Sequence, residues 1–235
     1  EADAATLGAL TTTGAGEINV LNAAAGTLTL GGAVSAGGAN VTIASEGDLT
    51  QNATFTVSGG TNGNIDLSAK GVLTLNANVT ATGTGTVTLT GDADGNVASG
   101  TVLNQVAGTV SAAGGAIVAK TGAASVGDIL VGAITNTTAN GAGAITLTSE
   151  AGSILQNAAA GDLLTSPGTI ALNAGNTTAG ATSVGTSANR INTAGGTITA
   201  KAGTGGIYLS EADAATLGAL TTTGAGEINV LNAAA

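Results

Sequence analysis

The side chains able to do chemistry in this sequence are nearly all carboxylates and hydroxyls. There is no His, Cys, Met or Trp among 235 residues, and one each of Tyr and Phe. An imidazole or thiolate metal site, a cysteine nucleophile and a Ser-His-Asp triad are therefore excluded. So is an aromatic platform for stacking bases or sugars. Three constellations are left. Gly91-Asp92-Ala93-Asp94-Gly95-Asn96 has the DxDG spacing with which many calcium loops begin, bringing two carboxylates and an amide oxygen within reach of one hard cation. No downstream bidentate Glu follows, and Asp and Gly are the ordinary residues of a tight turn, so an acidic turn is the preferred reading. Glu46 and Asp48 form a carboxylate pair of the kind that does general acid and base work on glycans. With no basic or aromatic subsite beside them, solvation is the simpler role. Thr-x-Thr runs begin at Thr27, Thr54, Thr86, Thr146 and Thr197. An ice-matching face needs such a pair in register on successive layers, whereas the outward positions alternate among Thr, Asn, Asp, Ala and Lys. No residue is assigned a catalytic, cofactor-binding or metal-binding role, no cofactor is expected, and the chain is not read as an enzyme.

The charges exclude another class of partner. A formal net charge of −10 opposes nucleic acid, whose phosphates need neutralising by Lys and Arg. Lys70, Lys120, Lys201 and Arg190 are too few and too dispersed to form a patch. Sequons at Asn40, Asn52, Asn78, Asn136 and Asn176 matter only in a pathway that glycosylates them. Charged residues make up 8% of the chain and apolar ones 43%, a balance that argues against disorder. No run approaches the ~20 apolar residues of a membrane-spanning helix. The sequence opens on Glu1 with no signal peptide, so targeting and anchoring segments are expected to lie outside it.

The elements that must position these residues follow from two periods. The longer is an exact duplication: residues 211–235 repeat residues 1–25 letter for letter, which makes residues 1–210 one copy and residues 211–235 the start of the next. The shorter is a six-residue pattern, x-aliphatic-x-aliphatic-x-x, recurring after glycine-rich stretches: EINVLN at Glu17, NVTIAS at Asn40, NIDLSA at Asn64, TVTLTG at Thr86, AIVAKT at Ala116, AITLTS at Ala144, TIALNA at Thr169 and TITAKA at Thr197. EINVLN then returns at Glu227. These steps of 22 to 30 residues divide the copy into eight sub-repeats.

Alternation within each pattern sends its second and fourth residues to one face and the others to the opposite face. The second position is β-branched in every copy: Ile18, Val41, Ile65, Val87, Ile117, Ile145, Ile170, Ile198 and Ile228. That column is predicted to be buried, while Thr86, Thr88, Thr146, Asn19, Asp66 and Lys120 face solvent. Weaker strand signals such as TLTL (27–30), VLTL (72–75), DILV (128–131) and SILQ (153–156) follow in most sub-repeats, and then a strand running into a glycine turn, as in AVSAGG (33–38), TVSAAGG (109–115), LLTSPG (163–168) and RINTAGG (190–196). Glycine supplies the backbone freedom that such corners need. No apolar stripe of 3.6-residue period supports helix.

Three short strands and three bends per sub-repeat predict an all-β fold, a parallel β-helix (β-solenoid) of about eight coils per 210-residue period, with aliphatic columns filling a narrow interior. Residues 90–100 and 173–185 are expected to bulge outward as loops. Asn52, Asn76, Asn104, Asn157 and Asn232 recur near corners and are read as side-chain amide ladders between coils. The returning segment is expected to resume its own register, with Ile228 continuing the column of Ile18.

The turns, the stretch 187–226 (SANRINTAGGTITAKAGTGGIYLSEADAATLGALTTTGAG) and the alternation of ILQN with DLLTSPG resemble filamentous-haemagglutinin-type exoproteins, giant bacterial surface or secreted proteins. The resemblance covers the whole chain but consists of low-complexity texture, without a site motif. It implies a right-handed β-helix shaft, export across the outer membrane and roles in adhesion, biofilm or cell-to-cell contact. The family's amino-terminal secretion domain is not in this sequence, so the export route is implied only. The expectation is a structural fibre or stalk segment, extracellular or at the cell surface, whose partners are neighbouring repeats end to end and, by lateral association, other fibres. The alternative is an adhesin module that recognises a receptor, glycan or neighbouring fibre through its bulged coils.

Overall fold

The computed structural model describes residues 3–52, 57–137, 143–157, 163–177 and 180–233. Residues 53–56, with the Thr-x-Thr run that begins at Thr54, lie outside these, as do residues 138–142, 158–162, 178 and 179 and the two at each end. Among the described residues there are strands and turns but no helix. The chain is an all-β parallel solenoid of about nine turns. Each strand pairs in parallel with its counterpart one turn on, as Ile18–Asn22 does with Val41–Ser45 and Leu28–Leu30 with Leu49–Gln51.

Three faces result. The first carries the six-residue pattern, from Ile18–Asn22 through Val41–Ser45, Ile65–Ala69, Val87–Gly91, Ile117–Thr121 and Ile145–Ser149. The second holds the middle strands, from Ala5–Leu7 and Leu28–Leu30 to Asp128–Val131 and Ile154–Gln156. The third holds strands such as Leu10–Thr12, Val34–Ala36, Val79–Thr82 and Thr109–Ala112, which run into the glycine corners.

The predicted aliphatic column of the first face is continuous. Ile18 pairs with Val41, and the ladder climbs through Ile65, Val87, Ile117, Ile145 and Ile170 to Ile198. All of these are buried. A second column on the next face runs through Leu28, Leu49, Leu73, Leu103, Ile129 and Ile154. Each such side chain contributes roughly 1.5–3 kcal/mol by leaving water. The core is thus a set of parallel stacks whose content grows with the number of turns, as in other repeat architectures.

One inward column departs from aliphatic content. At the end of the second face Leu30, Gln51, Leu75, Gln105, Val131 and Gln156 follow one another, so a buried glutamine fills every second turn. Each bonds backbone at the adjoining corner. Gln51 Nε2 donates to the carbonyl of Asn78 at 2.8 Å, Gln105 Nε2 donates to those of Gly108 and Ala133, and Gln156 Oε1 accepts from the N–H of Asn192. Buried backbone groups at a bend need partners that the ladder no longer supplies, and the amides provide them.

Four expectations need correction. Residues 173–185 are not wholly a loop, because Ser183–Val184 is the middle strand of its turn: Val184 pairs with Ile154 below and Ile207 above and is fully buried. The corners at residues 163–168 and 190–196 do not interrupt the chain's extended path. Leu164–Ala174 and Ile191–Ala202 run through them as long strands, with a register shift between Ser166 and Thr169 absorbing the bend. The loop 90–100 does not simply bulge outward, since Asp92 is buried.

The fourth correction concerns the repeated segment. Leu217, not Ile228, covers Ile198 on the first face, and Ile228 instead pairs with Ile207 on the second. Leu10 lies on the third face over Val34, whereas its copy Leu220 lies on the first face opposite Ala200. The corner that separates Ala5–Leu7 from Leu10–Thr12 is straightened in the copy into the single strand Thr216–Thr222. Both end turns are open: the inward-facing Leu7, Leu10 and Val20 are only half-buried at one end and Leu217 and Ile228 are exposed at the other, while Leu21 and Leu231 are exposed because they point outward.

Candidate functional site

The loop with calcium-like spacing is organised by Asp92. Its φ of 48° places it in the left-handed region, which Asp tolerates better than most side chains. The carboxylate turns inward, where Oδ1 accepts the N–H groups of Asn96 at 2.8 Å and Val97 at 3.0 Å. Asp94 is exposed, and its Oδ1 also accepts from Asn96 N, at 3.3 Å. The point on which the two carboxylates converge is therefore filled by a backbone donor, which repels a cation. Among the described residues no group of three or more carboxylates gathers. Asp92 serves as the cap of its own loop. Asp92→Ala should lower stability by about 2 kcal/mol, through two unmet N–H groups and an unfavourable φ. Asp92→Asn keeps the accepting oxygen and the φ preference and should fall within about 0.5 kcal/mol of the parent; urea midpoints compare the two.

Glu46 and Asp48 serve different neighbours. Glu46 pairs with Lys70 one turn on, and that bond raises the lysine's pKa and keeps it charged. Asp48 Oδ1 accepts the N–H of Val72 at 2.8 Å. The same device recurs at other strand entrances. Asn40 Oδ1 accepts from Asn64 N, Asn64 Oδ1 from Thr86 N, Asn78 Oδ1 from Thr109 N and Asp128 Oδ1 from Ser153 N. In each case a side-chain oxygen stands in for the backbone carbonyl at a corner, a bond of about 1 kcal/mol. This is the amide ladder of the fold, with Asn40 Nδ2 extending it down to Glu17 Oε1 at 3.0 Å. It lies at strand entrances on all three faces, with Asn40 and Asn64 before the first, Asp48 and Asp128 at the second and Asn78 before the third; these are other residues than the corner asparagines expected from the sequence. Asn157, one of those expected, donates instead to the backbone carbonyls of Gln105 and Val106.

The hydroxyls also resolve into columns. On the second face Thr6, Thr29, Thr50 and Thr74 stack directly. The residues two places before the last three are Thr27, Asp48 and Val72, so the Thr-x-Thr pair is not repeated from turn to turn. On the third face Thr11, Ser35, Ser58, Thr80, Ser111, Thr135 and Thr165 form an unbroken single rank. Ser111 Oγ donates to Thr80 Oγ1 within it. A single rank gives one lattice direction, not two.

A cluster that the sequence patterns did not single out joins the chain's one Arg and one Tyr to the repeated segment. Arg190 Nη1 donates to the carbonyls of Leu209 at 3.3 Å and Asn229 at 3.0 Å, and the Tyr208 hydroxyl donates to Glu227 Oε2 at 3.3 Å. Desolvation, with the nearby Glu227 carboxylate, raises the phenol's pKa and keeps it a donor. Their singular occurrence in a chain of small residues was the available signal.

Nearby, Glu211 is 4% exposed and its Oε2 accepts from Thr193 Oγ1 at 2.6 Å. Burial raises its pKa above the usual 4.5. A carboxyl whose folded pKa is raised favours the fold below its unfolded pKa, and that contribution is lost as pH rises through the folded value. Glu211→Gln should therefore melt like the parent near pH 4 and above it at pH 8. Melting curves at the two pH values check the sign.

No protein-family model, curated protein or solved structure matches this chain. Its likeness to filamentous-haemagglutinin-type exoproteins rests on sequence texture alone, and its solenoid fold on the ladder geometry.

Proposed function

We propose that the chain is a segment of a structural fibre or stalk, one copy of a tandem array carried outside a bacterial cell or on its surface. The observation that carries this reading is the continuous stack of first-face residues from Ile18 to Leu217, left open to further turns at both ends. Backbone ladders between turns bear axial load, inward columns exclude water, and length follows copy number. The exact return of residues 1–25 at residues 211–235 supports an array, because the next copy starts on the same solenoid. The absence of cysteine and the small-residue composition are compatible with export. The fibre needs no catalytic group, and the corner roles of Asp48 and Asp92 and the Glu46–Lys70 pair account for the most suggestive carboxylates without one.

Immunolabelling of intact cells that carry the gene tests the reading. Surface filaments should shorten in steps when whole 210-residue copies are deleted. Replacing the exposed Asp94, Asn96 and Ser99 of the loop by alanine, which keeps the Asp92 cap, should leave filaments and attachment intact. Label found only after lysis would overturn the surface assignment, and loss of attachment with intact filaments would transfer function to the loop as an adhesin.

A further inference from the structure

We infer that the repeat does not restore its own register: each copy enters the solenoid on a different face from the one before, and Arg190 and Tyr208 set that offset. The ladder takes eight steps from Ile18 to Leu217 on the first face, and the copy of Ile18, Ile228, is then found one face further round, on Ile207. Leu220 is offset from Leu10 in the same sense.

Identical residues have identical local preferences, so what differs is the turn they lie against, the following one in the first copy and the preceding one in the second. In the first copy Glu17 meets Asn40, and its strand lies under Val41–Ser45 on one face. In the second, Glu227 meets the Tyr208 hydroxyl, and the carbonyl of Asn229 receives Arg190. Both contacts come from residues with no other example in the chain, and both hold the strand Ile228–Asn232 against Gly206–Glu211. The turn that receives the copy is also short. Gly206–Glu211 covers the second and third faces in one strand, pairing with Ser183–Val184 and then with Ile191–Thr193. The incoming segment thereby reaches the first face early.

The consequence for a fibre rests on the tandem-array reading. A surface feature such as the loop capped by Asp92 would not line up along one side of the shaft. It would be carried round the axis by one face per copy, returning to the same face after three, so that the fibre presents the feature in every direction.

The register itself is testable in the 235-residue chain, whatever the number of copies, because the sequence has no cysteine of its own. Adjacent inward positions of a parallel ladder lie within the roughly 4.4–6.8 Å Cα separation that a disulfide spans. The double variant Ile207→Cys with Ile228→Cys should oxidise to a cross-linked species on a non-reducing gel. Ile198→Cys with Ile228→Cys should not. Ile18→Cys with Val41→Cys, an adjacent pair in the first copy, serves as the positive control. Adding Arg190→Ala and Tyr208→Phe to the first pair should lower its cross-linking yield severalfold. Closure of the 198/228 pair, or failure of the 207/228 pair while the control closes, would overturn the offset without touching the array reading. An unchanged yield in the quadruple variant would remove Arg190 and Tyr208 from the account.

Discussion

Ile145→Asp should abolish cooperative folding of the turns around it, whereas Thr146→Asp, one residue away, should shift stability by no more than about 0.5–1 kcal/mol. Ile145 is fully buried between Ile117 and Ile170 in the first-face column. An aspartate there would place a charge among aliphatic side chains with no partner, at a cost of several kcal/mol, comparable with the whole stability of an ordinary domain. Thr146 points the other way, between Val118 and Ala171, and is partly exposed. Circular dichroism with urea titration reads both. Equal tolerance of the two changes would deny the inside–outside alternation on which the solenoid depends.

The second large effect is expected at a corner. Gly152 packs against the turn below so closely that a Cβ would lie 2.1 Å from the carbonyl oxygen of Gly127. That contact is with backbone, so no side chain can swing aside to relieve it. Gly152→Ala should cost about 3 kcal/mol by forcing two turns apart, at the upper end of overpacking effects. Gly8, where nothing lies within 4 Å of the same added atom, should accept alanine with little change. Thermal melts of the two variants separate close stacking from a general intolerance of alanine at glycine.

How much of this was legible in the sequence depended on the range of the interactions. The first-face column was readable because alternation is local and recurs in every turn, so Ile65, Ile117 and Ile170 each repeat the same signal. Ser183–Val184 was not readable, since two residues carry no period. It is a strand because of what flanks it in space, where Val184 sits between Ile154 and Ile207. The inward turn of Asp92 depends on one positive φ and two N–H groups that close the loop, and a DxDG string does not specify them. The corner caps were half visible. Asparagine at corners was expected to form a ladder, but at Asn52, Asn76, Asn104, Asn157 and Asn232; Asn40, Asn64 and Asp48 were not read as caps, because their partners lie a whole turn away. The offset of the second copy was invisible in principle from the duplicated residues, which are the same in both places. It is set by Arg190, Tyr208 and the shortened turn beneath.

The central claim is that turns add along one axis. Small-angle X-ray scattering tests it most directly, on the 235-residue chain and on the same chain lengthened by one more 210-residue copy. Strands stack at about 4.8 Å, so the eight-odd turns of a copy should lengthen the rod by about 40 Å and leave its cross-sectional radius unchanged. A longer chain that thickens instead, with little gain in maximum dimension, would contradict the solenoid fibre.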